Sequence, residues 1–134
     1  MVDFYTNNFA DNIRLARSKR LAAPTDGVYN VIRIPRYALV LSTRVWITTA
    51  YTNAGATMTV GFTGNGETAD PDAFMTTDLC DPDATGMAIS YAGNAACYGG
   101  KYFQDGSGSI SVTVDDNGGT AGTFYVFADY VVVH

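Results

Sequence analysis

Apolar residues in this chain recur at every second position. Residues 109–114 alternate strictly, which puts Ile110, Val112 and Val114 on one side. Residues 57–63 do the same with Met58, Val60 and Phe62. Over residues 44–51, Val45, Ile47, Thr49 and Tyr51 share a face opposite Trp46 and Thr48. A period of two belongs to a strand with one buried face, whereas a helix repeats every 3.6 residues. Residues 28–34 are rich in β-branched side chains and stop at Pro35, residues 87–91 read as a short strand, and residues 123–133 as a long final one. Asn53-Ala54-Gly55 and Asp115-Asp116-Asn117-Gly118-Gly119 supply turns, the second of a type that favours positive φ. That turn predicts that 109–114 and 123–133 pair with each other antiparallel. Many short strands joined by Gly-rich turns predict an all-β chain, either an antiparallel β-sandwich or a jelly-roll-like barrel.

Two short helices are expected inside this β pattern. In Asp70-Pro71-Asp72-Ala73-Phe74, Asp70 suits an N-cap, Pro71 the first helical position and Asp72 the positive end of the helix dipole. Residues 10–21 suit a helix that starts near Asn8 or Asp11 and is broken by Pro24, Asp26 and Gly27. The chain thus divides into an extended or short-helical basic arm, residues 1–27, and a β body, residues 28–134. The arm carries few apolar residues, among them Phe4, Phe9, Ile13 and Leu21, so it is expected to become ordered against a neighbouring molecule.

Charge divides at the same end of the chain. Residues 1–44 hold seven of the eight Lys and Arg with three acids, whereas residues 45–134 hold Lys101 and ten acids. The densest basic stretch contains Arg14, Arg17, Lys19 and Arg20. Such a cluster can bind phosphate, but the acidic remainder repels nucleic acid, so an acidic protein surface is the better partner. The acidic body of a second copy is one such surface. Tyr91, Tyr98, Tyr102 and Phe103 lie in a loop-rich stretch, where exposed aromatics suit a protein–protein interface.

The 134 residues fit one domain and can build a core without disulfide or metal. No apolar run approaches the roughly 18 residues of a membrane span, so no membrane partner is expected. Met1-Val2-Asp3-Phe4-Tyr5 lacks the basic start and apolar core of a secretion signal, so synthesis in the cytoplasm is expected, with Cys80 and Cys97 reduced. The one histidine is His134, which leaves almost no material for an imidazole-dependent catalytic dyad or a histidine metal site. The acids Asp70, Asp72, Asp78, Asp81 and Asp83 could attract calcium or pose as a glycosidase pair, but their spacing is not that of a calcium loop and capping explains them. Gly61-Phe62-Thr63-Gly64-Asn65-Gly66 lacks the Lys-Ser or Lys-Thr of a phosphate loop and reads as a strand-end turn. No enzyme activity, cofactor or metal is therefore expected. Trp46 and the nine tyrosines leave a sugar-stacking platform open beside ordinary sheet packing.

The run Ile34-Pro35 followed by Leu39-Val40, then Val45-Trp46-Ile47-Thr48-Thr49-Ala50, resembles small β-proteins encoded among tailed-phage head genes. A strand like 58–63, a segment like Asp70-Pro71-Asp72-Ala73-Phe74, a turn like Gly100-Lys101-Tyr102-Phe103 and two closing strands extend the resemblance over about residues 28–133. It implies a capsid decoration (cement) protein without enzymatic activity. Such a protein is a β-sandwich or jelly roll, made in the host cytoplasm, that sits on the capsid surface as an oligomer, often a trimer, bound to the major capsid protein of the same virion. No functional residue carries over, because binding in that group is by surface. The residues expected to meet partners are therefore those named from the sequence: Phe4, Phe9, Arg14, Arg17, Lys19, Arg20, Tyr91, Tyr98, Tyr102 and Phe103. A tail-associated carbohydrate- or receptor-binding module is the alternative.

Overall fold

The structure, a computed structural model, describes Val2, residues 12–90 and residues 100–133. Ten strands run in chain order: β1 (Arg14–Arg17), β2 (Leu21–Ala22), β3 (Gly27–Arg33), β4 (Ala38–Thr49), β5 (Thr57–Thr63), β6 (Asp70–Met75), β7 (Gly86–Ser90), β8 (Lys101–Phe103), β9 (Ser109–Asp115) and β10 (Thr123–Val132). They form two antiparallel sheets. The first is ordered β1-β10-β4-β7, with β2 also on β10 and β8 also on β4; the second is ordered β3-β9-β5-β6. No helix occurs among the described residues.

The alternation in the sequence decides which face of each strand is buried. Val40, Val45, Ile47, Phe124, Val126 and Ala128 of the first sheet meet Ile32, Met58, Val60, Phe62, Ile110, Val112 and Val114 of the second in one buried cluster. Burying one such aliphatic or aromatic side chain is worth about 1.5–3 kcal/mol. Thr49 departs from the expected pattern and is exposed. The β4–β10 ladder slips between Thr123 and Phe124, so Thr123 faces Thr49 while Phe124 faces Ile47. The extra residue reverses the parity of the strand at that point.

Three expectations are corrected. Strands 109–114 and 123–133 do not pair with each other. β9 lies between β3 and β5 in the second sheet, and β10 lies between β1 and β4 in the first. The Asp115–Gly119 turn does adopt positive φ, at Asn117 (51°) and Gly118 (80°). It opens a longer crossing, however, that carries the chain from one sheet to the other. The crossing packs on the connection between β4 and β5. Thr52 N donates to Thr120 O (3.1 Å), Thr120 N donates to Thr52 Oγ1 (2.7 Å), and Asn53 Nδ2 donates to Asn117 O (2.9 Å). Gly122 lies so close to Thr49 that a Cβ there would fall 2.0 Å from the Thr49 carbonyl oxygen. A turn sequence specifies local φ; which strand lies beside the next one is decided by which edges are free.

The segment 70–74 is strand β6, not a helix. Asp70 Oδ1 accepts the Asp72 N–H at 3.4 Å, a turn-like contact, but Ala73, Phe74 and Met75 are buried against β5, and that burial overrides the capping signal. Residues 12–21 are likewise not helical. Arg14, Leu15, Ala16 and Arg17 pair with Tyr130, Asp129, Ala128 and Phe127, so this part of the arm closes an edge of its own chain. Residues 3–11, including Phe4 and Phe9, lie outside the described residues.

Ser18 fastens this edge. It is buried, its N–H donates to Val126 O (2.8 Å), and its Oγ accepts the Val126 N–H (2.9 Å). Its hydroxyl hydrogen goes to Lys19 O (2.7 Å). Ser18→Ala leaves the Val126 N–H buried without its acceptor, which costs about 1–3 kcal/mol. Urea denaturation should show that loss, and Ser18→Thr, which keeps the acceptor, should recover most of it.

Candidate interaction surface

The two outer faces of the molecule differ in chemistry. On the second sheet the outward positions are Asn30 and Val28 of β3, Thr113 of β9, and Thr57, Thr59 and Thr63 of β5; Ser111 shares their side of β9 but is fully buried. Thr63 Oγ1 donates to Asn30 Oδ1 at 2.7 Å across this face. The face is thus lined mainly by small polar side chains.

On the first sheet the register places Tyr125, Trp46 and Met87 in one outward row and Arg17, Phe127, Arg44 and Ile89 in the next. Leu15 stands beside Asp129 in the row beyond. Leu15 is 58% exposed, Met87 51%, Trp46 44% and Ile89 42%. Trp46 stacks on Tyr125 with ring centroids 5.6 Å apart and planes 25° apart, and the Arg17 guanidinium lies 5.4 Å from the centroid of the Tyr125 ring. At the centre Asp129 Oδ2 accepts from Arg44 Nη2 (2.6 Å) and from Ser42 Oγ (2.7 Å), so the one acid on this face among the described residues is neutralised there. Toward the foot of the face, Val131, Leu39 and Tyr102 form a further row. Several exposed apolar side chains side by side on one sheet mark an interaction surface, whereas singly scattered ones do not.

Of the residues singled out from the sequence, Arg17 and Tyr102 lie on this face. Arg14, Lys19 and Arg20 are exposed along the adjoining edge. Phe103 is corrected: it is fully buried, edge-on to Phe62 with centroids 6.0 Å apart, and has no surface to offer a partner. Tyr91 and Tyr98 lie outside the described residues, as do Cys97 and His134. Cys80 is a buried free thiol, pushed up to about 12 chiefly by burial and further by Asp81. The sequence reading missed Met87, Ile89, Tyr125 and Phe127 as surface residues. Alternation marked them as the opposite face of buried strands, but that face is ordinarily polar, and only the register shows them adjoining Trp46.

The acids divide into local pairs. Asp81 Oδ1 accepts the Asp83 N–H (3.2 Å), repeating the Asp70–Asp72 contact at the second Asp-Pro-Asp-Ala. A side-chain hydrogen bond from Asp70 raises the Asp72 carboxyl above the usual range, and one from Asp81 does the same to Asp83. Asp26, Asp115 and Asp116 bring carboxylate oxygens within 4.8 Å of one another. Each of the three already accepts a backbone N–H, from Asp116 (2.8 Å), Asn117 (2.8 Å) and Gly118 (2.9 Å) respectively, which is turn chemistry. Tyr51, buried beneath the neighbouring connection, is pushed up to about 12 by burial first and then by the charges of Asp116 and Asp26.

A polar clasp behind the foot of the face holds Tyr102 in place. Asn65 is buried at a φ of 62°; its Oδ1 accepts from Gln104 N (2.7 Å), its Nδ2 donates to Tyr102 O (3.2 Å), and its N–H donates to Ser107 Oγ (3.0 Å). Glu67 beside it accepts from Lys101 Nζ at 2.7 Å, which holds its carboxyl below the usual range. Asp105 is held low by Ser107.

No family model matches the chain, and no curated protein matches it either. Solved structures do. A chain in the capsid of Ralstonia phage GP4 aligns with a TM-score of 0.68 at 14% identity, over 99% of this chain and 92% of that one. One in the acid-stable capsid of Helicobacter pylori bacteriophage KHP30 gives 0.63 at 16%, over 89% and 86%. One in the cyanophage Pam1 capsid asymmetric unit gives 0.62 at 15%, over 99% and 94%. The chain therefore has a fold found in phage capsids.

The clasp predicts a split carboxyl titration. By carboxyl-detected NMR, Glu67 and Asp105 should titrate below ordinary carboxylates, and Asp72 and Asp83 above them. The two groups also act on stability with opposite signs. The Glu67 contribution is present above the unfolded carboxylate pKa and lost as pH falls through its folded value, whereas Asp72 and Asp83 favour the fold in acid and lose that contribution as pH rises. Lys101→Met should return Glu67 toward the ordinary range.

Proposed function

We propose that this chain is a structural protein of a phage virion, without enzymatic activity. On this reading it is a capsid decoration (cement) protein, a β-sandwich of jelly-roll type, that docks on the major capsid protein and stabilises the shell. It works as an oligomer, a trimer in the form the resemblance implies, at the capsid surface. The observation that carries this reading is the apolar outer face of the first sheet on a fold shared with chains of three phage capsids. Aromatic residues and Arg at the centre of a patch, with charge along its border, are the composition of a protein–protein interface.

A tail-associated carbohydrate- or receptor-binding module is the second reading, favoured by the Trp46–Tyr125 stack, an exposed aromatic pair of the kind on which a sugar ring can lie. Two binding assays separate the two. Under the decoration reading the protein cosediments stoichiometrically with capsids of its own phage. Trp46→Ser together with Met87→Ser, which removes two central side chains, should then weaken binding by about 2 kcal/mol or more, roughly thirtyfold. Glycan-array binding lost in Trp46→Ser, with no capsid cosedimentation by the wild-type chain, would overturn decoration in favour of the second reading.

A further inference from the structure

The charge divide at residue 44 becomes a spatial one once the sheets are assembled. β1 ends the first sheet and β3 ends the second, and residues of both stretches line one hollow of about 340 Å³: Ser18, Lys19, Leu21, Tyr29, Asn30 and Val31. The hollow lies at the edge where β1 and β3 end their sheets. Lys19 lines it, Arg14 and Arg20 are exposed along the same edge, and Arg17 turns to the outer face of the first sheet. Asp26, in the chain between these two stretches, is turned to the Asp116 N–H at one end.

The opposite side is built differently. β7 ends the first sheet there and β6 ends the second, and residues 76–85 bridge them. Every charged residue from β6 to the end of β7 is an acid: Asp70, Asp72, Asp78, Asp81 and Asp83. In the middle of the bridge Leu79 is 39% exposed beside exposed Asp78 and Asp81, while Cys80 and Pro82 on either side of Asp81 point inward. The two ion pairs among the described residues, Arg44–Asp129 and Lys101–Glu67, involve neither the four bases nor these bridge acids.

We propose that the acidic bridge of one copy seats on the basic edge of the next, with Leu79 entering the hollow lined by Leu21, Tyr29 and Val31 and with Asp78 and Asp81 meeting Lys19 and Arg20. The occupant is a second copy of this chain because the two sides match in charge and in apolar content: bases beside an apolar hollow on one, and acids beside exposed Leu79 on the other. The contact is heterologous, since two different surfaces meet. Copies joined this way therefore run side by side and close into a ring, or continue as a row if the rotation does not close. Charge along the rim makes association salt-dependent, because exposed charges more than about 8 Å apart are screened at physiological ionic strength. The inference rests on the assembling role proposed above for its setting, but it concerns contacts between copies and leaves the apolar face of the first sheet free for the shell.

The test is analytical ultracentrifugation of the full chain at low and high salt, with circular dichroism as a check on folding. Wild type should associate at low salt and weaken as salt rises. Lys19→Glu with Arg20→Glu, and separately Asp78→Lys with Asp81→Lys, should each weaken association at least tenfold. Leu79→Asp should do the same. The chain carrying all four charge reversals should regain association, because its two sides match again with exchanged sign. A strictly monomeric wild type at high micromolar concentration and low salt would overturn the proposal. So would a fourfold variant that stays as weak as its halves. Capsid cosedimentation is measured on the same variants: intact edge-dependent association without capsid binding would sink the decoration reading and leave the edge contact standing.

Discussion

The pairing of β4 with β10 is the contact on which the rest of the molecule hangs. These are the two longest strands, and their ladder runs from Thr123 opposite Thr49 to Val132 opposite Ala38. β1 and β2 add to the far side of β10, and β7 and β8 add to the far side of β4. Each of these additions is five residues or shorter, too short to stand as an independent ribbon in water. They persist because the central pair offers them a ready edge and a buried face. The same pair presents Val45, Ile47, Phe124 and Val126 inward and Trp46 and Tyr125 outward, so one ladder builds both the core and the candidate surface.

Two irregularities in that ladder shape what the surface carries. The slip between Asp129 and Tyr130 leaves Leu41 without a register partner, so Ser42 faces Asp129 and Val40 faces Tyr130. Ser42 and Arg44 then both reach the Asp129 carboxylate. A half-buried acid in an apolar face would otherwise be a charge in search of a partner. The pair removes that difficulty and leaves the face apolar around it. Lys101 and Glu67 play the corresponding part at the foot, where the Asn65 clasp fixes the backbone of β8 beneath Tyr102.

Under the proposed reading, the work of this chain is done by its surfaces. The fold shared with phage capsid chains is seen at 14–16% identity, where the backbone path is alike and most side chains differ. The polar face of Thr and Asn and the apolar face around Trp46 give such a molecule two distinct sides, and the acid bridge and the basic edge beside the hollow give it two distinct edges.

Much of the strand inventory was legible in the sequence because burial of one face imposes a period of two. Met58, Val60, Phe62, Ile110, Val112 and Val114 were inward by alternation and are buried. The expected helices were not found, because a cap signal at Asp70 and a polar stretch at 12–21 are local preferences of about 1 kcal/mol, and burial against a sheet outweighs them. Partner strands were not legible either. The Asp115–Gly119 turn fixed positive φ at Asn117 and Gly118, but no local signal says that β9 and β10 belong to different sheets. The sequence by itself determined the all-β class, the inward set of side chains and a basic start followed by an acidic remainder. Only the tertiary structure decided that Met87, Trp46, Tyr125 and Phe127 meet on one face, that Phe103 is core, and that opposite charges lie on opposite edges. Alternation and composition are properties of neighbours along the chain, whereas faces and edges are set by register and strand order, which the chain acquires only on folding.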